Sequence, residues 1–164
     1  LIKATTEALI RVPALNSVLV NDVIMKFDRV NIAFAVALDD GLVVPVIRET
    51  NSKNIREIAG EVKTLADAAK DGILGPDDFM GGTFTISILG SVDGFTPILN
   101  QSQVGLLGVG RSLQKPIVKD GQIVIREMMT LSLTGDHQVV DGAVAASFFR
   151  RLQRLIESPS KLFA

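Results

Sequence analysis

Hydrophobic and polar positions along the chain first follow the period of a helix. Within residues 1–12 the apolar side chains recur mostly at spacings of three and four, which places them on one face, and Pro13 ends the pattern. Residues 54–71 keep the same spacing up to Gly72 and predict a long amphipathic helix. A third helix is predicted from about residue 141 to residue 156.

Between these helices the apolar residues form short runs that are typical of strands. Residues 17–27 and 30–38 predict a hairpin-like pair, and the second run ends at a turn in residues 39–41. Residues 42–47 predict a strand at a sheet edge or bulge, because Pro45 has no N–H to donate. Further strands are predicted at residues 83–89, 104–108, 117–118, 122–126 and 129–133. Helices interleaved with about seven strands indicate an α/β sandwich with a mixed β-sheet.

Composition narrows the class of protein without identifying it. The chain has 164 residues, of which 47% are hydrophobic and 21% charged, as expected for one globular domain with a sizeable core. Its net charge of −1 and its lack of Trp and Tyr argue against a nucleic-acid partner. The absence of Cys excludes disulfides, thiolate metal ligands and a cysteine nucleophile. No apolar run approaches the roughly 20 residues of a membrane span, so we expect no membrane partner.

The first residue gives an expectation about the domain. Leu1 lies inside an amphipathic pattern, with neither Met nor a capping residue before it. We therefore expect residues 1–164 to be one domain that lacks its N-terminal segment.

The single histidine is the first candidate for chemistry. His137 lies between an apolar strand and the predicted start of the last helix at Asp141. Imidazole is the usual general base for a thiol or hydroxyl, and an aspartate four residues later could orient the ring or brace the turn. The residues alone leave open that His137 is a surface or capping histidine and that Asp141 is only the N-cap of the helix.

A longer sequence pattern favours a catalytic role for His137. The segment His-Gln-Val-Val-Asp-Gly at residues 137–142 resembles the His-Arg-x-x-Asp-Gly signature of the dihydrolipoamide acyltransferase family, the core component of 2-oxo acid dehydrogenase complexes. Other segments resemble family blocks in the same order: Asn31, residues 41–46, the helix around Ile58, and residues 81–90, 95–100 and 107–110. The resemblance therefore covers essentially the whole chain. It extends more distantly to chloramphenicol acetyltransferase and implies that two-layer fold, with helices covering a mixed β-sheet.

The resemblance implies an acyltransferase that moves an acyl group between a dihydrolipoyl thioester and coenzyme A, without a metal. At matched positions, His137 is the general base that takes the thiol proton, and Ser87 is the hydroxyl that stabilises the tetrahedral oxyanion. Asp141 is implied as a brace for the histidine loop. Coenzyme A is a substrate, the lipoyl group belongs to a separate domain, and no residue is assigned to coenzyme A contact.

The resemblance also implies partners. Three copies would form a homotrimer in which His137 of one chain faces Ser87 of its neighbour, and trimers would assemble into a cubic or dodecahedral core. The decarboxylase and dihydrolipoamide dehydrogenase components would bind through domains outside residues 1–164, as would the lipoyl group. The implied compartment is the cytoplasm in a bacterium or archaeon, and the mitochondrial matrix or plastid in a eukaryote.

Two residues depart from the family pattern. Gln138 replaces the usual Arg, which puts any ion pair of that Arg in doubt. Ala37 stands where some members carry an acid or serine near the active site. Acyl specificity, whether acetyl, succinyl or branched, is not set by these residues.

Three other functions remain as alternatives. A serine hydrolase could use Ser87 and His137, although no G-x-S-x-G motif surrounds the serine. A scaffold could form the oligomeric core without turnover, and a related acyltransferase could use a hydroxyl acceptor. The glycines in residues 105–110 do not form a nucleotide fingerprint and predict a closely packed strand instead.

Overall fold

The computed structural model describes residues 1–163, within which three α-helices and eleven β-strands form. The helices are α1 Ile2–Arg11, α2 Ile55–Lys70 and α3 Gly142–Glu157. The strands are β1 Ser17–Val20, β2 Val23–Lys26, β3 Ile32–Phe34, β4 Val36–Leu38, β5 Gly41–Val43, β6 Val46–Ile47, β7 Phe84–Leu89, β8 Gly105–Gly110, β9 Leu113–Lys119, β10 Gln122–Met128 and β11 Leu131–Gly135. Short 3-10 helices lie at Pro13–Leu15, Thr50–Ser52, Pro76–Phe79 and Pro159–Leu162.

Five strands form a mixed central sheet in the order β11-β8-β7-β3-β6. The central neighbours β3, β7 and β8 are parallel, whereas β11 and β6 run antiparallel to their neighbours and form the two edges. The predicted mixed sheet of an α/β fold is confirmed. Pro45 directly precedes the edge strand β6, as its missing N–H predicts, and its carbonyl accepts from the N–H of Phe34 at 3.0 Å.

The predicted pairing of residues 17–27 with residues 30–38 is wrong. The first segment folds on itself as the hairpin β1–β2, in which Ser17 pairs with Lys26. Asn21 and Asp22 form its two-residue turn with positive φ values of 49° and 62°, the geometry that suits a tight hairpin. The second segment divides between β3 in the central sheet and β4, which pairs with β5.

Helices α1 and α3 pack on one face of the central sheet. Their buried side chains meet those of the strands in one core cluster that includes Leu9, Phe84, Leu107, Phe148 and Leu152. The rings of Phe84 and Phe148 lie 5.8 Å apart between centroids, so the last helix contacts a central strand directly. None of the helices in the described part of the chain is long and apolar enough to cross a bilayer.

The second helix begins and ends where the sequence predicts. The side chain of Asn54 accepts hydrogen bonds from the N–H groups of Arg56 and Glu57, and the Glu57 carboxylate accepts one from the N–H of Asn54. This reciprocal capping box satisfies backbone donors that the helix itself leaves unpaired. Gly72, with a φ of 67°, follows the last turn.

Residues 93–103 cross part of the opposite face of the sheet, where β7, β8 and β11 carry several small or polar residues. Thr134 on β11 donates its hydroxyl to the carbonyl of Pro97 at 2.6 Å. A Cβ on Gly108 would lie 2.9 Å from Pro97, and one on Gly110 would lie 2.1 Å from the carbonyl oxygen of Asp93. Only glycine permits so close an approach of the two backbones, which confirms the interpretation of these glycines as packing residues.

Candidate active site

His137 lies at the tip of a turn that Asp136 organises. The N–H of Asp136 donates to the carbonyl of Val104 at 2.9 Å, which continues the pairing of β11 with β8. Its carboxylate accepts the N–H of Gln138 and its carbonyl accepts the N–H of Val140, both at 2.9 Å. These bonds fix the turn through its backbone, whereas the imidazole of His137 is exposed. The base candidate is therefore held in place and open to a reactant.

Asp141 fixes the other end of this turn. Its backbone is extended, with φ −97° and ψ 178°, and its carboxylate accepts the N–H of Val144 at 2.9 Å. This is the geometry of a helix N-cap, the structural role that the sequence left open for Asp141, and it does not test a further role in bracing the histidine loop. Val140 beside it is buried in the core, so the chain is anchored just after the histidine.

Ser87 lies on β7, on the face opposite to the helices. It is half-buried, and its register partner Gly108 has no side chain to cover it. Within residues 1–163 its hydroxyl has no hydrogen-bond partner, whereas the hydroxyl of Thr85, two residues earlier on the same face, bonds to both Gln103 and Asn100. Ser87 can therefore donate to a group that reaches this face from outside the chain.

A single chain does not bring Ser87 and His137 together. Ser87 is level with Gly108 on β8, and Gly108 is level with Ser132 on β11. Asp136 lies four residues beyond Ser132 along the same strand direction. Two strand spacings across the sheet and four residues along it place the backbones of Ser87 and Asp136 about 16 Å apart. At this separation the side chains of His137 and Ser87 are not in contact within one chain.

An open cavity of about 1170 Å³ lies on the Ser87 face of the sheet. Ala33 and Val46 form part of its lining, and Ala33 is the register partner of both Val46 and Thr85. The β1–β2 hairpin and residues 100–103 form two of its sides. Neither Ser87 nor His137 is among its lining residues, so the cavity contains neither of the two candidate residues.

The two residues that depart from the family pattern are both exposed. Ala37 pairs with Leu42 in the β4–β5 hairpin, outside the central sheet. Gln138 contributes its backbone N–H to the histidine turn. In the described part of the chain no three His, Asp or Glu side chains lie together as metal ligands would.

The fold places the chain in a broad structural class. A solved chloramphenicol acetyltransferase superposes with a TM-score of 0.57 at 15% identity, covering 93% of this chain and 74% of that one. At this identity the likeness shows a shared fold alone. The chain thus has a two-layer α/β fold like that of chloramphenicol acetyltransferase, with an exposed histidine in the turn after an edge strand.

The sequence then gives the family. Residues 1–164 match the 2-oxoacid dehydrogenases acyltransferase (catalytic domain) family, and the chain belongs to it. It is 43% identical over 161 residues to the dihydrolipoyllysine-residue acetyltransferase component of the pyruvate dehydrogenase complex of Rickettsia prowazekii, covering 97% of this chain and 40% of the relative. The corresponding Staphylococcus aureus (strain N315) protein is 41% identical over 165 residues, at 98% and 38% coverage. The chain therefore spans about two fifths of these relatives.

Solved structures agree with this assignment. A probable dihydrolipoamide acetyltransferase from Listeria monocytogenes has a TM-score of 0.93 and 37% identity, covering 95% of this chain and 68% of that one. The structure of the cubic core of a pyruvate dehydrogenase multienzyme complex has a TM-score of 0.92 and 40% identity, covering 99% of this chain and 68% of that one. The family resemblance seen in the sequence is confirmed.

Proposed function

We propose that this chain is the catalytic part of a dihydrolipoamide acyltransferase that moves an acyl group between a dihydrolipoyl thioester and coenzyme A. The observation that carries the proposal is the exposed imidazole of His137 on a turn whose backbone is fixed on both sides. The family match supports the reaction class. Because the relatives named above are acetyltransferases, acetyl is the acyl group that we propose.

A further solved relative supports the choice of residues. The dihydrolipoamide acetyltransferase of Azotobacter vinelandii has a TM-score of 0.91 and 38% identity, covering 99% of this chain and 70% of that one. Its structure was studied for the role of a serine, a histidine and an asparagine in catalysis. The asparagine lies four positions after the histidine, as Asp141 lies after His137. The serine lies 52 positions before the histidine, and Ser87 lies 50 positions before His137.

In the proposed reaction His137 takes the proton of the acceptor thiol. The thiolate attacks the carbonyl carbon of the thioester, and the carbonyl oxygen becomes an oxyanion. The Ser87 hydroxyl donates a hydrogen bond to that oxyanion, a contribution of about 3 kcal/mol in comparable sites. Collapse of the intermediate breaks the original carbon–sulfur bond, and the departing thiolate receives the proton from His137.

The proposed site is completed by a second copy of the chain, because strand spacing places the backbone of Ser87 about 16 Å from that of Asp136, the residue before His137, within one copy. We propose a homotrimer with His137 of one chain facing Ser87 of the next. The likeness to a cubic core supports further assembly of trimers. The lipoyl group and the contacts with the decarboxylase and dihydrolipoamide dehydrogenase components are proposed to belong to other domains of the full protein.

The test is the fate of the acyl group in the full-length assembled protein. Incubation with acetyl-CoA and dihydrolipoamide should give acetyl-dihydrolipoamide, and His137→Ala should lower the rate by about 10² to 10⁴-fold with the oligomer retained. Release of acetate without a thiol acceptor would identify a hydrolase instead. Unchanged transfer in His137→Ala would refute the role of the histidine, and assembly without any transfer would identify a scaffold.

A further inference from the structure

Three polar side chains form a cluster beside Ser87. The hydroxyl of Thr85 donates to Oε1 of Gln103 at 2.6 Å and accepts from Nδ2 of Asn100 at 2.8 Å. Nε2 of Gln103 donates to the carbonyl of Gly82 at 3.0 Å. Thr85 is only 2% exposed, whereas Asn100 and Gln103 are half-buried, so the Thr85 hydroxyl depends on these two amides for its hydrogen bonds. The cluster ties β7 to the turn at residues 100–103.

The two strands that flank β7 in the central sheet pair with it over different lengths. The register with β3 ends at Ile86, which is paired with Phe34, whereas the register with β8 continues to Leu89. Ser87 is therefore the first residue of β7 beyond the β3 register. The residues of β7 beyond Ser87 are more exposed than those before it, and Leu89 has 43% of its surface exposed. The placement of Ser87 depends on the contacts made just before it.

Thr85 supplies such a contact on the correct face. Residues two apart on a strand point to the same side and lie about 7 Å apart, so the Thr85 hydroxyl and the Ser87 hydroxyl share the face opposite to the helices. Ile86 between them is 1% exposed and anchors the other face in the core. Thr85 is thus the nearest side-chain hydrogen-bond anchor before Ser87 on its own face.

We propose that the cluster of Thr85, Asn100 and Gln103 positions the Ser87 hydroxyl for the oxyanion. This inference rests on the proposed function of Ser87. The three residues are positioning residues, because they hold the strand and do not touch the reacting atoms. An oxyanion donor stabilises a transition state only when its geometry is fixed beforehand, so loosening β7 lowers kcat more than it changes substrate binding.

Direct contact with substrate is the competing role for this cluster. Asn100 and Gln103 both line the cavity on this face, so either amide is near enough to solvent to meet a bound molecule. A lost substrate contact raises KM with kcat unchanged, whereas lost positioning lowers kcat with KM unchanged. The two roles therefore give opposite kinetic results.

The experiment uses the full-length assembled protein with Thr85→Val, which keeps the branched shape and removes the hydroxyl. We expect kcat for acetyl transfer to fall about tenfold with KM for coenzyme A within about twofold, and Thr85→Ser to restore most of the rate. Amide hydrogen exchange in residues 84–89 should rise several-fold. Thr50→Val is the matched control, because it removes a buried hydroxyl that bonds to Val30 and Thr6 instead. It should leave both readouts unchanged.

The proposal is overturned if Thr85→Val changes neither kcat nor exchange, or if it raises KM alone. Absence of transfer in the unsubstituted assembly would refute the proposed function, whereas a difference in exchange between Thr85→Val and Thr50→Val would still decide whether the cluster holds β7 at Ser87. If Thr85→Val fails to assemble, Asn100→Ala removes one bond of the cluster at a half-buried position and carries the same test.

Discussion

Ser87 and Ser132 lie at the same level of the central sheet and on the same face, separated only by the strand that carries Gly108. Because β11 continues for several residues beyond Ser132, the chain carries His137 away from the serine of its own copy. The structure thus separates two residues that the proposed chemistry needs together. This relationship and the strand spacing are the reasons for which we propose that a second chain completes the site.

Removal of the Ser87 hydroxyl should slow transfer without loss of the fold. Ser87→Ala is expected to lower kcat by about 10² to 10³-fold with little change in KM, because the hydroxyl acts on the oxyanion and not on the bound substrate. Steady-state kinetics with acetyl-CoA would measure this. Ser132→Ala is the matched control: its hydroxyl donates to the carbonyl of Phe95 on the same face, so its loss should affect stability and leave most of kcat. Equal kcat in the two variants would contradict the role of Ser87.

The two possible contributions of Asp141 can be separated. Asp141→Ala should cost about 1 kcal/mol of unfolding free energy because it removes the helix cap on Val144, whereas Asp141→Asn keeps a capping oxygen and most of the stability. The Azotobacter relative has an asparagine four positions after its histidine, so we expect that the Asn variant also keeps kcat. Denaturant unfolding and kinetics on both variants would test this. If kcat falls greatly in Asp141→Asn although its stability is retained, the negative charge of the Asp141 carboxylate contributes to the reaction.

Close packing of β8 against residues 91–97 predicts a strong effect of a single methyl group. Gly110→Ala should lower the unfolding free energy by about 2 kcal/mol or more, because the new Cβ would overlap the carbonyl of Asp93. Gly60→Ala is the control: Gly60 lies within α2 with open space around it, and alanine should stabilise the helix by up to about 1 kcal/mol. Thermal unfolding of both variants would show whether Gly110→Ala destabilises the protein and Gly60→Ala stabilises it. A neutral Gly110→Ala would show that the strand can shift.

Local signals in the sequence predict much of this fold. The long helix was expected at residues 54–71 and spans Ile55–Lys70, because its cap and its terminating glycine lie next to it in the sequence. Pro45 predicts an edge strand by a property of the residue itself. The pairing of β3 was predicted wrongly, because its parallel partner β7 lies some fifty residues further on and no local pattern specifies it.

The candidate site likewise has parts that local sequence predicts and parts that it does not. The turn around His137 follows from a short motif, and Ser87 follows from a matched block. The separation of the two residues follows only from the register of three strands. The bonds of Thr85 to Asn100 and Gln103 join residues 15 and 18 positions apart, so no local pattern in the sequence predicts them.

The most direct test of the account is complementation between two inactive variants. His137→Ala and Ser87→Ala are co-expressed as full-length chains, and mixed oligomers that carry both are isolated with different affinity tags and assayed for acetyl transfer. If each site takes its histidine from one chain and its serine from the next, about a quarter of the interfaces in a randomly mixed core, or about a third in selected mixed trimers, are intact, and activity returns towards that fraction of the unsubstituted rate. If mixed oligomers are no more active than the separate variants, the two residues do not form a site between chains.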